Sequence, residues 1–427
     1  MLPPGSFAWY DALKPVEAIQ PVRWWKHEEI LNASSKLDFE EAKTAVRGAL
    51  RTAVKRRMES SDLPVGAFLS GGIDSGLITA LASEFTSSLH TFTFRFEGGF
   101  DESPYAKLVS EKFNTIHNLH DLNYDHLRDD IGKILLAYGE PYCDNSAIPT
   151  WYVSQQAKQN VTVVLNGDGG DEIFGGYRRY VPYVWPAPMK IALRGLGLFQ
   201  GILPTPKSKM SLYNYLFRAA RLQQASPSKK YLAGTTDLYW DNLMGKSIYE
   251  EKFMDWLTPI HANTKLSSLR KAFLSDYTGL LPVVLLKKVD IATMQHSLES
   301  RTVFFAPELL QLSGSFPDGY LVQPNQTKRI LRSIAQDILP GPIHSLPKRG
   351  FEPPLTQWMS EQLNGIMKEY VLANDAYGRD LFGHATLEKM VNQKLNIAHF
   401  RWAKLVFSLF SLEYWLKHRI TKVKKGN

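Results

Sequence analysis

Ser70-Gly71-Gly72-Ile73-Asp74-Ser75 packs two glycines, two hydroxyls and one carboxylate into six residues. Glycine lets the backbone adopt positive φ and approach a ligand closely. A helix beginning at such a turn presents unpaired N–H groups and the positive end of its dipole. With the hydroxyls of Ser70 and Ser75 as further donors, the run makes a nest for an anion such as pyrophosphate. Asp74 would repel a bare phosphate, so a divalent cation is expected between them. The run is not a Walker loop, because the lysine is missing, and its glycine spacing is wrong for a dinucleotide fingerprint.

A second run, Asn166-Gly167-Asp168-Gly169-Gly170-Asp171-Glu172-Ile173-Phe174-Gly175-Gly176-Tyr177, sets glycines around three acids. Such a composition does not pack a core; it reads as a nucleotide or metal loop. Asp74 and Asp171 together with phosphate oxygens supply the hard oxygen shell that Mg²⁺ prefers. For both runs the plain alternative is a solvated turn.

These loops need elements to hold them. Apolar residues at helical spacing (Phe39, Ala42, Val46, Leu50, Val54) behind Asp38 predict a capped helix from Asp38 to about Glu59. Val65 to Leu69 reads as a buried strand, and helical composition follows at Ser75 to Phe85. Leu89 to Phe96 alternates as a strand, Ser103 to Phe113 and Asp144 to Gln159 read as helices, and Val161 to Leu165 as a further buried strand. Strands alternating with helices predict a parallel sheet. Asp74 and Asp171 would then sit beyond the carboxyl ends of strands, where open α/β sheets bind ligands. After Tyr180 amphipathic segments dominate, and an all-helical part without strands is expected. The division is residues 1–35 as tail and linker, 36–180 as nucleotide-binding core, and 181–427 as helical part.

Composition narrows the class. The 427 residues are 44% apolar and 22% charged, which excludes a disordered or collagen-like chain. The single cysteine, Cys143, excludes an intramolecular disulfide and a thiolate zinc cluster. The net charge of +8 reads as a solvated surface, since no contiguous basic block exceeds Lys422, Lys424 and Lys425. Tyr180 to Pro204 is the most apolar long stretch, but prolines, Lys190 and Arg194 interrupt it, so it reads as buried or interfacial helix and not as a span. No secretory signal is visible, and a cytoplasmic protein with neither nucleic-acid nor membrane partners is expected.

The first run resembles the pyrophosphate loop of the ATP pyrophosphatases, the adenine-nucleotide alpha-hydrolase type of fold. The second resembles a signature of the asparagine synthetase family. So do Asn145-Ser146-Ala147-Ile148-Pro149-Thr150, Lys288-Val289-Asp290, His296-Ser297-Leu298-Glu299-Ser300-Arg301 and Pro347-Lys348-Arg349-Gly350-Phe351, in the family's order. The resemblance covers roughly residues 36–420. It implies ATP and Mg²⁺ as cofactors, Asp74 and Asp171 on the metal, and pyrophosphate in the Ser70–Ser75 nest. It places the base and ribose against the backbone of Leu69 and Phe94 and near Asn166 and Gly167. It implies Asp168 beside the acyl-adenylate or incoming amine, and Lys348 on the α-phosphate and pyrophosphate charge, where the residues alone read as plain surface. Lys328, ahead of a clear helix, is a second catalytic candidate, and Glu299 with Arg301 an expected structural ion pair.

The implied reaction is adenylation of a carboxylate, first of all the side chain of L-aspartate, followed by attack of ammonia to give L-asparagine and AMP. β-Lactam-type or lasso-peptide-type cyclases and sugar amidotransferases share this chemistry and remain alternatives. Thr302-Val303-Phe304 departs from the family's Val-Pro-Phe, and Asn166 stands where Ser is usual. Glutamine-dependent members begin with a glutaminase domain carrying an N-terminal cysteine; residue 2 here is Leu. The chain is expected either to be the synthetase part of a longer protein or to have lost that domain. A glutaminase domain or subunit is a candidate partner, and a homodimer is compatible with the reading.

Overall fold

Val65-Gly66-Ala67-Phe68 and Val163-Val164-Leu165-Asn166 carry almost nothing but small or branched apolar side chains, which suits strands covered on both faces. The computed structural model describes residues 2–11, 20–96, 101–122, 126–199, 202–204, 206, 211–235, 248–344 and 353–420. Its strands are β1 (Ser6–Phe7), β2 (Val22–Arg23), β3 (Val65–Phe68), β4 (His90–Phe96), β5 (Ile116–Leu122), β6 (Val163–Asn166) and β7 (Glu299–Thr302). β1 and β2 form a small antiparallel ribbon within the expected tail. The other five make one parallel sheet in the order β5-β4-β3-β6-β7.

This order fixes where a ligand can bind. The chain runs outward from β3 to β4 and β5, then returns to place β6 on the other side of β3. The crevice between the carboxyl ends of β3 and β6 is the topological switch point. Both glycine-rich runs leave their strands there.

Alternation gives the sheet two apolar faces. Val65, Ala67, Val163 and Leu165 pack with the helix Phe39–Glu59 and with Ile330, Leu331 and Ile334 of the helix Arg329–Ile338. Phe92 and Val164 face the other way, with Phe68 and Phe94 beside them. A second cluster, centred on Trp358, Trp402, Phe407 and Phe410, adjoins Phe68 and Phe94. The helix Phe39–Glu59 starts as expected: Asp38 and Glu41 form a reciprocal capping box at 2.9 Å each way.

One expectation is corrected. The part after Tyr180 is not without strands, because β7 closes the sheet edge. Its Glu-Ser-Arg-Thr sequence has no apolar signature; its backbone bonds to buried β6 hold it there. β5 and the helix Leu127–Ala137 were not anticipated; β5 reads Ile-His-Asn-Leu-His-Asp-Leu, an edge strand with polar residues throughout. Within Tyr180–Pro204, the helix Ala187–Gly197 has no buried residue at all. Among the described residues, no helix is long and apolar enough to cross a membrane.

Candidate functional site

The first loop is closed by its own hydroxyls. The Ser70 and Ser75 Oγ atoms lie 3.1 Å apart, the Ser70 N–H donates to Ser75 Oγ at 3.1 Å, and Ser75 Oγ donates to the Gly72 carbonyl at 3.2 Å. Gly71 has φ +77°, and a Cβ there would stand 2.7 Å from the Glu102 carbonyl oxygen, so only glycine fits. The helix Ile73–Ala82 begins on Gly72 without a side-chain cap, leaving its first N–H groups for a ligand. Leu69 is buried and tied to β4: its N–H donates to the Phe92 carbonyl at 2.9 Å, and the Thr93 hydroxyl donates to the Leu69 carbonyl at 2.5 Å.

In the second loop the Asn166 side chain accepts from the Asp168 N–H at 3.0 Å and donates to Ser300 Oγ of β7 at 2.6 Å. The asparagine thus folds the loop and clamps it to the edge strand. Gly167 lies against Asp74, where a Cβ would stand 3.1 Å from the Asp74 Cβ. A one-turn helix, Gly170–Phe174, then carries Asp171 and Glu172 inward.

The two loops converge on one cation. The Lys328 ammonium donates to Asp74 Oδ2 and lies 2.7 Å from Asp171 Oδ1. Lys328 is 3% exposed and Asp171 8%. Lys328 has φ +54°, and its N–H donates to the Gly175 carbonyl at 3.2 Å, so the backbone turns to aim the side chain inward. A Cβ on Gly176 would collide with Asp171 Oδ1 and with Lys328 Cε, which makes glycine obligatory at that approach.

The convergence tests the fit of a metal. Two carboxylates already share one positive point, and they are the hard oxygen donors that Mg²⁺ takes when phosphates complete its shell. No group of three or more His, Cys, Asp or Glu capable of holding a metal exists among the described residues. The pair therefore suits a cation that arrives with an anionic ligand. Arg332, one turn beyond Lys328, faces the same carboxylates; burial lowers its guanidinium, while Asp74 and Asp171 pull it back up.

Of the sequence-predicted residues, Leu69, Ser70, Gly71, Gly72, Asp74, Ser75, Asn166, Gly167, Asp171 and Lys328 gather at this crevice, and Asp168 is half-buried on the second loop. Phe94 stacks on His120, with centroids 5.5 Å apart, two residues along β4 from Phe92. Lys348 lies outside the described residues. Glu299 and Arg301 do pair, at 2.7 Å, and Arg301 also donates to the Arg57 carbonyl at 2.7 Å, which ties β7 to the helix Phe39–Glu59.

The model of the asparagine synthase family matches residues 45–417. This chain belongs to that family. It is 29% identical over 385 residues to asparagine synthetase [glutamine-hydrolyzing] 1 of Bacillus subtilis, covering 86% of this chain and 58% of that protein. A putative asparagine synthetase of Mycobacterium bovis is 28% identical over 424 residues, covering 94% of this chain and 61% of that protein. A putative asparagine synthetase of Methanocaldococcus jannaschii is 42% identical over 186 residues, which are 43% of this chain and 36% of that protein. The chain spans about six-tenths of the length of the Bacillus and Mycobacterium relatives.

Two features of the site escaped sequence reasoning. Arg332 was signalled only by its four-residue spacing from Lys328. Glu172 is 2% exposed, and burial with the adjacent Asp171 carboxylate pushes its carboxyl up to about 7, against the pull of the Tyr177 hydroxyl bonded to it at 2.5 Å. The next residues anchor the loop: Arg179 lies 3.9 Å over the Tyr177 ring and makes two 3.0 Å bonds to Asp276, which also accepts from Tyr180 and, at 2.8 Å, from Tyr231. A motif match marks these residues without revealing that they form one buried network.

Proposed function

We propose that the chain activates a carboxylate by adenylation with ATP, releasing pyrophosphate, and passes the acyl group to ammonia. The supporting observation is the convergence of Asp74, Asp171 and Lys328 beneath the Ser70–Ser75 loop at the switch point of the sheet. The acceptor in this reading is the side chain of L-aspartate, and the products are L-asparagine and AMP.

The roles follow from charge and position. The loop N–H groups and the Ser70 and Ser75 hydroxyls bind the departing pyrophosphate. Asp74 and Asp171 would hold Mg²⁺, which supplies neutralisation of the phosphate charge when bound. Lys328 and Lys348 stabilise negative charge as it develops on the α-phosphate and pyrophosphate. The backbone at Leu69 and Phe94 with Asn166 and Gly167 seats the nucleoside, and Asp168 orients the incoming amine. Most of the acceleration in this scheme is positioning. We assign residues 36–180, completed by β7, to an ATP-pyrophosphatase-type core, 1–35 to a linker, and 181–427 to a helical part that finishes the synthetase unit. A glutaminase domain or subunit would supply the ammonia.

The test is a screen of carboxylates with ATP and ammonium. AMP and pyrophosphate released in equal amounts with aspartate support the reading. ADP and orthophosphate as the stoichiometric products overturn it, and pyrophosphate release with another carboxylate alone overturns the choice of aspartate.

A further inference from the structure

Lys328 reaches Asp74 and Asp171 from a turn that its own residue type resists. Its φ is +54° and its ψ +37°. In this left-handed region a Cβ crowds the backbone carbonyl, and the conformation persists only where neighbours hold it. Lys328 stands at the N-cap of the helix Arg329–Ile338 without a side-chain cap bond, so the restraint has another source.

Bonds on either side of Lys328 supply it. The peptide that precedes it is fixed at both ends: the Lys328 N–H donates to the Gly175 carbonyl at 3.2 Å, and the Thr327 carbonyl accepts from Arg332 Nε at 2.9 Å. The carbonyl that follows, that of Lys328 itself, accepts from the Arg332 N–H at 2.8 Å. One residue therefore grips the carbonyl before Lys328 with its side chain and the carbonyl after it with its backbone.

The grip has a rigid base. Ile330, Leu331, Ile334 and Ala335 bury the helix that carries Arg332. Arg332 Nη1 donates to the carbonyl of His344, the last residue of the helix Gly341–His344, at 2.8 Å. A planar guanidinium bonded to two backbone carbonyls is set in orientation as well as in place.

We propose that Arg332 is a positioning residue for the reaction: it acts through Lys328, holding the left-handed turn that keeps the ammonium on Asp74 and Asp171. This deepens the proposed adenylation and rests on it for what the ammonium does there. The competing account makes Arg332 a second positive charge facing the same carboxylates, a role that lysine would fill. Lysine keeps the charge but offers one point donor where the two carbonyls need a fork.

The experiment compares the parent with Arg332→Lys in two assays on the full chain. In exchange of labelled pyrophosphate into ATP, kcat should fall roughly ten- to a hundredfold, with KM for ATP within about twofold of the parent, because the ammonium acts on charge that develops in the transition state. In thermal melts without nucleotide, Mg²⁺ should raise the melting temperature of Arg332→Lys by roughly 2 °C more than it raises that of the parent. A loosened ammonium neutralises the carboxylates less and leaves them more open to the ion. In a Lys328→Met background the extra gain should vanish, since the effect passes through Lys328. Should Arg332→Lys not fold, Arg332→Gln takes its place in both assays.

A kcat within twofold of the parent, or a loss carried by KM, overturns the proposal. So does an Mg²⁺ gain no larger than the parent's, or one that persists in the Lys328→Met background. A parent chain that exchanges no pyrophosphate refutes the proposed reaction instead. The clamp is then decided by the melts, which involve only Asp74, Asp171, Lys328 and Arg332.

Discussion

The crevice between β3 and β6 and the segment that follows it treat charge in opposite ways. In the crevice, Asp74 and Asp171 are drawn inward and compensated within the chain by Lys328. Beyond Glu172, positive charge accumulates through 64 residues without an acid, and large apolar side chains point outward. Burying an ion is costly unless it is paired, so the first region is electrostatically closed and opens only to a ligand that replaces the lysine's role. The second pairs Arg179 with Asp276 but leaves Ile191, Leu198 and Phe199 exposed. In the proposed reaction the first region takes a small, highly charged substrate.

The strongest way to break the contrast is Lys328→Met. It removes the ammonium that bridges the two carboxylates and leaves them only the guanidinium of Arg332 nearby; removing one partner of a buried pair costs about 3–5 kcal/mol. The melting temperature should fall steeply without Mg²⁺ and recover in part when Mg²⁺ is added. A melt indifferent to Mg²⁺ would show that the carboxylate pair does not take the ion.

Gly176→Ala probes the same closure by shape. The new Cβ collides with Asp171, and a displacement of this order at a reacting centre costs about a hundredfold in rate. ATP turnover is the readout, with circular dichroism to show that the fold persists; parental turnover would mean that the Asp171 carboxylate need not hold its place.

A smaller effect tests the helical part. Burial first, then Lys271, pushes the buried His261 from 6.5 down to about 4. The fold therefore favours the neutral ring: its contribution is complete above pH 6.5 and is lost as pH falls from there toward 4. Thermal melts across that window should show His261→Gln losing less stability than the parent, by roughly 2–4 °C. Parallel curves would show that His261 is free to take up its proton. The smallest effect belongs to Ile191→Glu, whose stability should stay within about 0.5 kcal/mol of the parent because the side chain is 67% exposed. A larger loss in a chemical-denaturation curve would mean that the side chain is packed and not outward.

Loops whose residue types serve only a ligand were legible before any coordinates. Ser70–Ser75 and Asn166–Gly176 stood out by their glycines and acids, and Asp38 announced the helix cap, though not the reciprocal bond from Glu41. Elements held by their neighbours were not. β7 is a strand because β6 offers it hydrogen bonds, and Glu-Ser-Arg-Thr shows nothing of that. The Glu172–Tyr177 bond and the Arg179–Asp276 pair join residues 5 and 97 apart in the chain, so no local pattern could disclose the network. The apolar stretch from Tyr180 to Pro204 was visible, but which side of its helix would face solvent depended on Gly197 docking against the helix Leu212–Gln224.

The most direct test of the central claim is exchange of labelled pyrophosphate into ATP, measured against Mg²⁺ concentration for the parent, Asp74→Asn, Asp171→Asn and the double variant. If both carboxylates act through one cation on the pyrophosphate, each single change should cost on the order of 3 kcal/mol in the transition state. The double variant should then be scarcely worse than either single one in exchange, although its melting temperature falls the most, because Lys328 is left buried without either carboxylate. Near-parental exchange in either single variant at ordinary Mg²⁺, or fully additive losses, would contradict the account.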